Sequence, residues 1–437
     1  MAMSTWRSTL RRLQRPGIAV VSTIAAVAMV ACVIVVLTIG RSHDSPRAPG
    51  DLRSYSAPPQ PMWTMSPAQA AGVDPAQWSP APQVVGVHGD RWLLTSRGGD
   101  GSRVTEVRAE TGTPIWSGGL DVGLGMCAFD DAGHLGCVRR PLTATTASFG
   151  LLDDSGRFHR SADVEDTAGM VGVTDGFVLM SKVGHRVTGV GTDGSTTFST
   201  TLTSPATLRW SDATLTAARA DGGASILDAA TGEQRYSCTS CTLTTYPSGV
   251  AAEIDSPDGD ASSSVTLLDT AGHITATETD TALVAGPSPL PVLTGAGPTT
   301  VFADHGTYEA RDLTPGSARR WRSDSTDNSK SGAQACGSMF FLPKIDRSRQ
   351  ILDLGSDDTV GTLAQASVNR PDTDLDQLTC LGSHGHTAIF TDTDTITAVD
   401  VARGRVSWQL PFNGTVEVVD GYLVLRQGTE LSVLQPN

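Results

Sequence analysis

The sequence predicts an all-β fold, a β-propeller of about eight four-stranded blades with nine permitted, preceded by one N-terminal transmembrane α-helix. Three observations predict it. Residues 18–39 form an uncharged apolar run. From about residue 62 onward, apolar residues come in short alternating runs separated by Gly, Asp and Thr. One strand-turn-strand sentence then recurs at a period of roughly 40 to 50 residues, within a chain of 437 residues.

The elements follow in chain order. Residues 1–17 hold Arg7, Arg11, Arg12 and Arg15 and no carboxylate, which marks a cytoplasmic tail. Residues 18–39, at 1.5 Å rise per residue, cover the roughly 30 Å hydrocarbon layer of a bilayer. No second apolar run brings the chain back, so the expectation is a single pass through the cytoplasmic membrane, N-terminus inside and the C-terminal domain extracytoplasmic. Cleavage after Ala28 or Ala31, or lipidation of Cys32 in Met29-Val-Ala-Cys32, would leave apolar Cys32 to Ile39 at the start of the mature chain; an uncleaved anchor is preferred. Residues 40–61, rich in Pro, Ser and Arg, read as an extended and mobile linker. Residues 62–437 hold the repeats, and no helix is expected beyond the anchor.

The clearest copies are Val104-Thr-Glu-Val-Arg-Ala-Glu-Thr-Gly-Thr-Pro-Ile-Trp116, Ala224-Ser-Ile-Leu-Asp-Ala-Ala-Thr-Gly-Glu-Gln-Arg-Tyr236 and Ile396-Thr-Ala-Val-Asp-Val-Ala-Arg-Gly-Arg-Val-Ser-Trp408. Weaker copies sit at Phe149 to Phe158, Val187 to Phe198, Val265 to Ile274, Tyr308 to Trp321 and Gln350 to Leu363. An Asp such as Asp228, Asp269, Asp312 or Asp400 can accept turn amides. A Gly such as Gly112, Gly232, Gly272, Gly316 or Gly404 supplies the positive φ. The following aromatic, Trp116, Tyr236, Trp321 or Trp408, fills space between blades. Two further short strands precede most copies. Thr415 to Leu434 supplies three strands of one more unit, and the region around Trp63 can close the ring as its outer strand, removing an open sheet edge.

These residues resemble the repeat of pyrroloquinoline-quinone-type β-propellers, close to Ala-Leu-Asp-x-x-Thr-Gly-x-x-x-Trp, over roughly residues 62 to 437. The larger members of that family have eight blades, which favours eight over the nine the copies permit. Arg108 replaces the Asp in one copy, Tyr236 the Trp in another, and Ala271-Gly272 lacks a residue. No Trp-Asp dipeptide occurs, which disfavours the Trp-Asp repeat class.

The family's enzymes imply a Ca²⁺ ion, a catalytic Asp, a Trp floor and a disulfide between adjacent cysteines. Here no cysteines are adjacent, and Trp210 is the one candidate floor left over by the repeat motif, so no cofactor and no catalytic residue is assigned. Outside Cys32, six cysteines remain, an even number that suits an oxidising compartment. Six allow 15 pairings; the preference is Cys127 with Cys137, Cys238 with Cys241, and Cys336 with Cys380. Cys238-x-x-Cys241 is read as structural, since a redox pair is usually poised at a helix N-terminus. His384-Gly-His386 near Cys380 has the look of a metal site, and Asp255 to Asp260 and Asp392-Thr-Asp394 offer oxygen ligands without the spacing of a calcium loop; no metal is assigned. Nucleophile-elbow, zinc-protease and phosphate-loop motifs are absent.

The net charge is −14, and seven Arg against two Asp in residues 1–60 leave −19 on residues 61–437, which argues against nucleic-acid binding. Only Lys182, Lys330 and Lys344 accompany 29 arginines. The resemblance implies a noncatalytic protein-interaction scaffold or sensor module of the bacterial cell envelope, attached to the membrane through residues 18–39 and serving envelope protein partners. A propeller binding a glycan or small metabolite is the alternative, with a quinone-dependent dehydrogenase behind it.

Overall fold

The computed structural model describes residues 47–71, 80–98, 101–116, 120–123, 125–141, 144–254, 263–296, 305–316, 319–364 and 375–437. The expected tail 1–17, transmembrane helix 18–39 with Cys32, and the first part of the linker lie outside the described residues, as does the acidic run from Asp255 to Asp260. Among the described residues, no helix is long and apolar enough to cross a membrane.

Residues 61–434 build nine four-stranded antiparallel sheets. Blade 1 runs from inner to outer strand as Gln83–His88, Arg91–Gly98, Gly101–Arg108 and Leu120–Gly123. Blades 2 to 8 start at inner strands Met126–Phe129, Thr167–Val173, Ala206–Ser211, Cys241–Tyr246, Thr281–Leu283, Gln334–Cys336 and Thr379–His384. Blade 9 takes Thr415–Val419, Tyr422–Gln427 and Glu430–Leu434 from the C-terminal end and Pro61–Met65 from the N-terminal end, with Trp63 opposite Val433 and Met65 opposite Leu431. That is the closure implied around Trp63.

The preference for eight blades is corrected to nine. Each of the eight repeat copies forms its own sheet, the worn ones at Val187 to Phe198 and Val265 to Ile274 included, and the three-stranded remainder is completed rather than shared.

Burial explains the ring. Second strands are covered on both faces and read as continuous apolar runs: Gly176–Ser181 and Met339–Pro343 are buried throughout. Outer strands such as Phe158–Val164 stay largely in solvent. Nine apolar clusters each join neighbouring blades, from Leu93 and Trp116 with Cys127 and Leu135 between blades 1 and 2, to Trp92 and Leu94 with Tyr422 and Val424 between blades 1 and 9. The ring therefore closes through packing as well as strand pairing.

Antiparallel order puts the strand ends that join first to second strands, and in blades 1 to 8 third to fourth strands, on one face, and the opposite strand ends on the other. We call these the turn face and the connector face.

The mobile linker expected at 40–61 is also corrected, over its described part. Residues 47–60 form a strap across the turn face. Leu52 bonds through its N–H to the Ser383 carbonyl, Arg53 through its N–H to the Gly421 carbonyl, and Arg53 pairs with Asp420 at 2.9 Å. Leu52 and Tyr55, each 1% exposed, insert among Ile389, Trp408, Leu423 and Leu425. Burial of these two large side chains adds to the backbone bonds and the ion pair in anchoring the strap.

A short helix, Pro67–Ala71, corrects the expectation of none beyond the anchor. Its start is a capping box: the Ser66 N–H donates to Gln69 Oε1 at 2.9 Å, the Gln69 N–H faces the Ser66 hydroxyl, and Pro67 occupies the first helical position.

Candidate functional site

The repeat residues are absorbed by the turn face. Asp228 Oδ1 accepts the N–H groups of Ala230 and Thr231 at 3.0 and 2.8 Å. Asp153, Asp193, Asp269, Asp312, Asp353 and Asp400 accept amides of their own turns in the same way. Arg235 beside Asp228 is the main reason that its carboxyl is lowered to about 2. Gly112, Gly232, Gly272, Gly316 and Gly404 all have positive φ, between 61° and 82°.

The outer-strand aromatics reach the next blade. Trp63 of blade 9 lies on Gly112 of blade 1, where an added Cβ would sit 2.6 Å from the indole, and its Nε1 donates to the Ala109 carbonyl at 2.7 Å. Trp116 lies on Gly156 of blade 2, and Trp321 donates to the Leu354 carbonyl of blade 7 at 3.1 Å. Trp408 of blade 8 has no such turn to meet, because blade 9 passes from its third to its fourth strand through the chain ends. It donates instead to the Tyr55 carbonyl of the strap at 2.8 Å. Tyr236 packs, half-buried, against the cluster of Ile226, Val250 and Leu268 between blades 4 and 5.

The three preferred cysteine pairs stand at disulfide distance, with Cα atoms 4.1 Å apart for Cys127 and Cys137, 6.0 Å for Cys238 and Cys241, and 5.6 Å for Cys336 and Cys380. The first lies within blade 2; the other two join blade 4 to 5 and blade 7 to 8. Cys380 is therefore engaged away from His384 and His386, and His384 Nδ1 stands 3.9 Å from Asp51 of the strap. Asp392 accepts the N–H groups of Asp394 and Thr395 within its own hairpin. Among the described residues, no group of three potential metal ligands converges. Trp210 is tied to the turn-face rim: its Nε1 donates to Asp131 Oδ1 at 3.1 Å, and the other Asp131 oxygen accepts from Thr174.

The exposed residues of the inner strands belong to the channel wall. They include Val85, Val87, Thr207, Arg209, Thr242 and Thr244. Glu417, on the inner strand of blade 9, is raised by burial, against the pull of Arg426. The connector face carries two clefts. One, of about 240 Å³ at blade 3, has Asp163, Glu165 and Arg186 in its wall. The other, of about 610 Å³ at blade 7, gathers Lys330, Lys344, Arg347 and Arg349 with Asp376.

The sequence reading missed the strap residues Leu52 and Tyr55 and this basic cleft. The signals were present: two large apolar residues three apart in the supposed linker, and two of the chain's three lysines within one short stretch.

No family model and no curated protein matches the chain. Similar solved structures include BamB from Moraxella catarrhalis, at 13% identity over 87% of this chain and 98% of that one with a TM-score of 0.44. Sqt1 from Saccharomyces cerevisiae follows at 11% identity over 82% and 97%, TM-score 0.42, and the quinohemoprotein alcohol dehydrogenase from Comamonas testosteroni at 10% over 86% and 76%, TM-score 0.39. At this similarity no role passes from them to any residue here. The protein is a nine-bladed β-propeller on its own topology.

Proposed function

We propose that the chain is a membrane-anchored, extracytoplasmic β-propeller of the quinoprotein-like repeat type, acting as a noncatalytic protein-interaction scaffold or sensor module of the bacterial cell envelope. The observation that carries this reading is the fate of the motif residues. The carboxylates and aromatics of the repeat are held in turns and between blades, where they stiffen the ring. A rigid ring with two broad faces is suited to holding partners. The apolar run of the sequence at 18–39 and the paired cysteines support the address.

The test places a photo-crosslinking residue at exposed Val183 or Ile345 on the connector face of the full chain in its own membranes. Discrete protein adducts are expected at one of these positions. Absence of adducts, together with calcium-dependent binding of pyrroloquinoline quinone and dye reduction, would replace the scaffold by the dehydrogenase.

A further inference from the structure

The basic cleft on the connector face is built, not merely decorated. The connector between blades 6 and 7 is bridged to blade 6 at His305 and Ser329, and to blade 7 at Asn328 and Lys344. Asn328 is fully buried; its Nδ2 donates to the Ser323 hydroxyl at 3.0 Å and its Oδ1 accepts Lys344 Nζ at 2.9 Å. A neutral amide, not a carboxylate, is therefore the hydrogen-bond partner of the lysine head group, while the Asp346 carboxyl, lowered mainly by its Ser348 hydrogen bonds, also feels the Lys344 charge. Arg349, almost buried, is held by the Gly332 carbonyl and by Asp376. Lys330 and Arg347 stand exposed at the rim.

Most described arginines have a carboxylate in ion-pair reach, as in Arg53 with Asp420, Arg219 with Asp221, Arg311 with Glu278 and Arg403 with Asp400. Among the described residues, none of Lys330, Lys344 and Arg347 has a carboxylate within 4.0 Å. Asp346, in the same hairpin, accepts from the Ser348 N–H and hydroxyl at 2.9 and 2.6 Å. Three cations thus line a cleft of about 610 Å³ in a domain of strongly negative charge. Such a cavity concentrates anions, and charge-assisted hydrogen bonds hold them.

We propose that this cleft binds a small polyanion, a ligand bearing several phosphate or carboxylate groups, with Lys330, Lys344 and Arg347 as its charge partners. The volume exceeds what a single such group fills, which is why a polyanion is named. This inference stands apart from the scaffold reading.

The test is calorimetric titration of the full chain in detergent with pyrophosphate in one arm and citrate in the other. Saturable binding of at least one is expected. The double variant Lys330→Gln/Arg347→Gln, which alters two exposed side chains, should weaken it on the order of 10-fold or more. Lys344→Gln should do the same, and Lys182→Gln, in blade 3, should bind like the parent. Binding of pyrophosphate alone assigns a phosphate ligand, and comparable binding of both a general polyanion site. No saturable binding of either at millimolar concentration, or binding that the cleft variants leave unchanged, would overturn the proposal.

Discussion

Asp228 shows what one repeat residue contributes. Its carboxylate accepts turn amides and pairs with Arg235, which brings its pKa down to about 2. The ionised form is thus favoured in the folded chain. The contribution is complete above the ordinary carboxylate value of about 4 and is lost as pH falls through about 2. Asp228→Asn should therefore lower stability at pH 7, and its deficit against the parent should shrink between about pH 4 and pH 2. Urea denaturation at several pH values measures this; a deficit independent of pH would show that the charge is not what holds the turn.

Gly112 and Gly385 separate conformational strain from contact. Both have positive φ, 65° and 57°, but a Cβ at Gly112 meets Trp63 whereas one at Gly385 meets nothing. Alanine should cost about 1 kcal/mol at Gly385 and about 1–3 kcal/mol more at Gly112, read from the same denaturation curves. The Asp, the Gly and the aromatic were legible in the sequence because a turn is local. The partners of Trp116 and Trp321 were not, because they lie on the next blade, a full repeat away.

At the scale of elements, the strap is where composition misled. Pro, Ser and Arg suggested a tether, yet Tyr55 fills the place left vacant where blade 9 lacks a third-to-fourth turn. Its hydroxyl donates to the Leu434 carbonyl at 3.1 Å and accepts the Leu423 N–H at 3.0 Å. Burial is the main reason that the hydroxyl is raised to about 12, so it stays protonated through the physiological range. Tyr55→Phe leaves that amide buried without its partner and should cost about 1–3 kcal/mol. Hydrogen exchange at Leu423 should report it directly, since protection would fall there before it falls in distant blades; unchanged protection would show that the strap does not hold the seam. The helix Pro67–Ala71 carries a start signal in Ser66-Pro-Ala-Gln69, but five residues make no apolar stripe that would announce a helix.

For the whole molecule, the repeat count in the sequence permitted nine blades and the family's habit argued for eight. The ninth sheet exists because the two ends of the domain pair, a contact across some 370 residues of the chain between Thr64 and Ser432. Disulfides brace two further seams. Replacing Cys336 and Cys380 together by serine should cost about 2–4 kcal/mol, the range for opening a crosslink of this size, with the midpoint of urea unfolding as the check. Bridges of this kind form and persist where the surroundings are oxidising, and this is what links them to the proposed address outside the membrane. The most direct test of that claim is thiol counting on the full chain taken from its membranes, denatured without reduction, alkylated and weighed intact. The account expects Cys127, Cys137, Cys238, Cys241, Cys336 and Cys380 to stay unlabelled; alkylation of all six would contradict both the bridges and the extracytoplasmic placement.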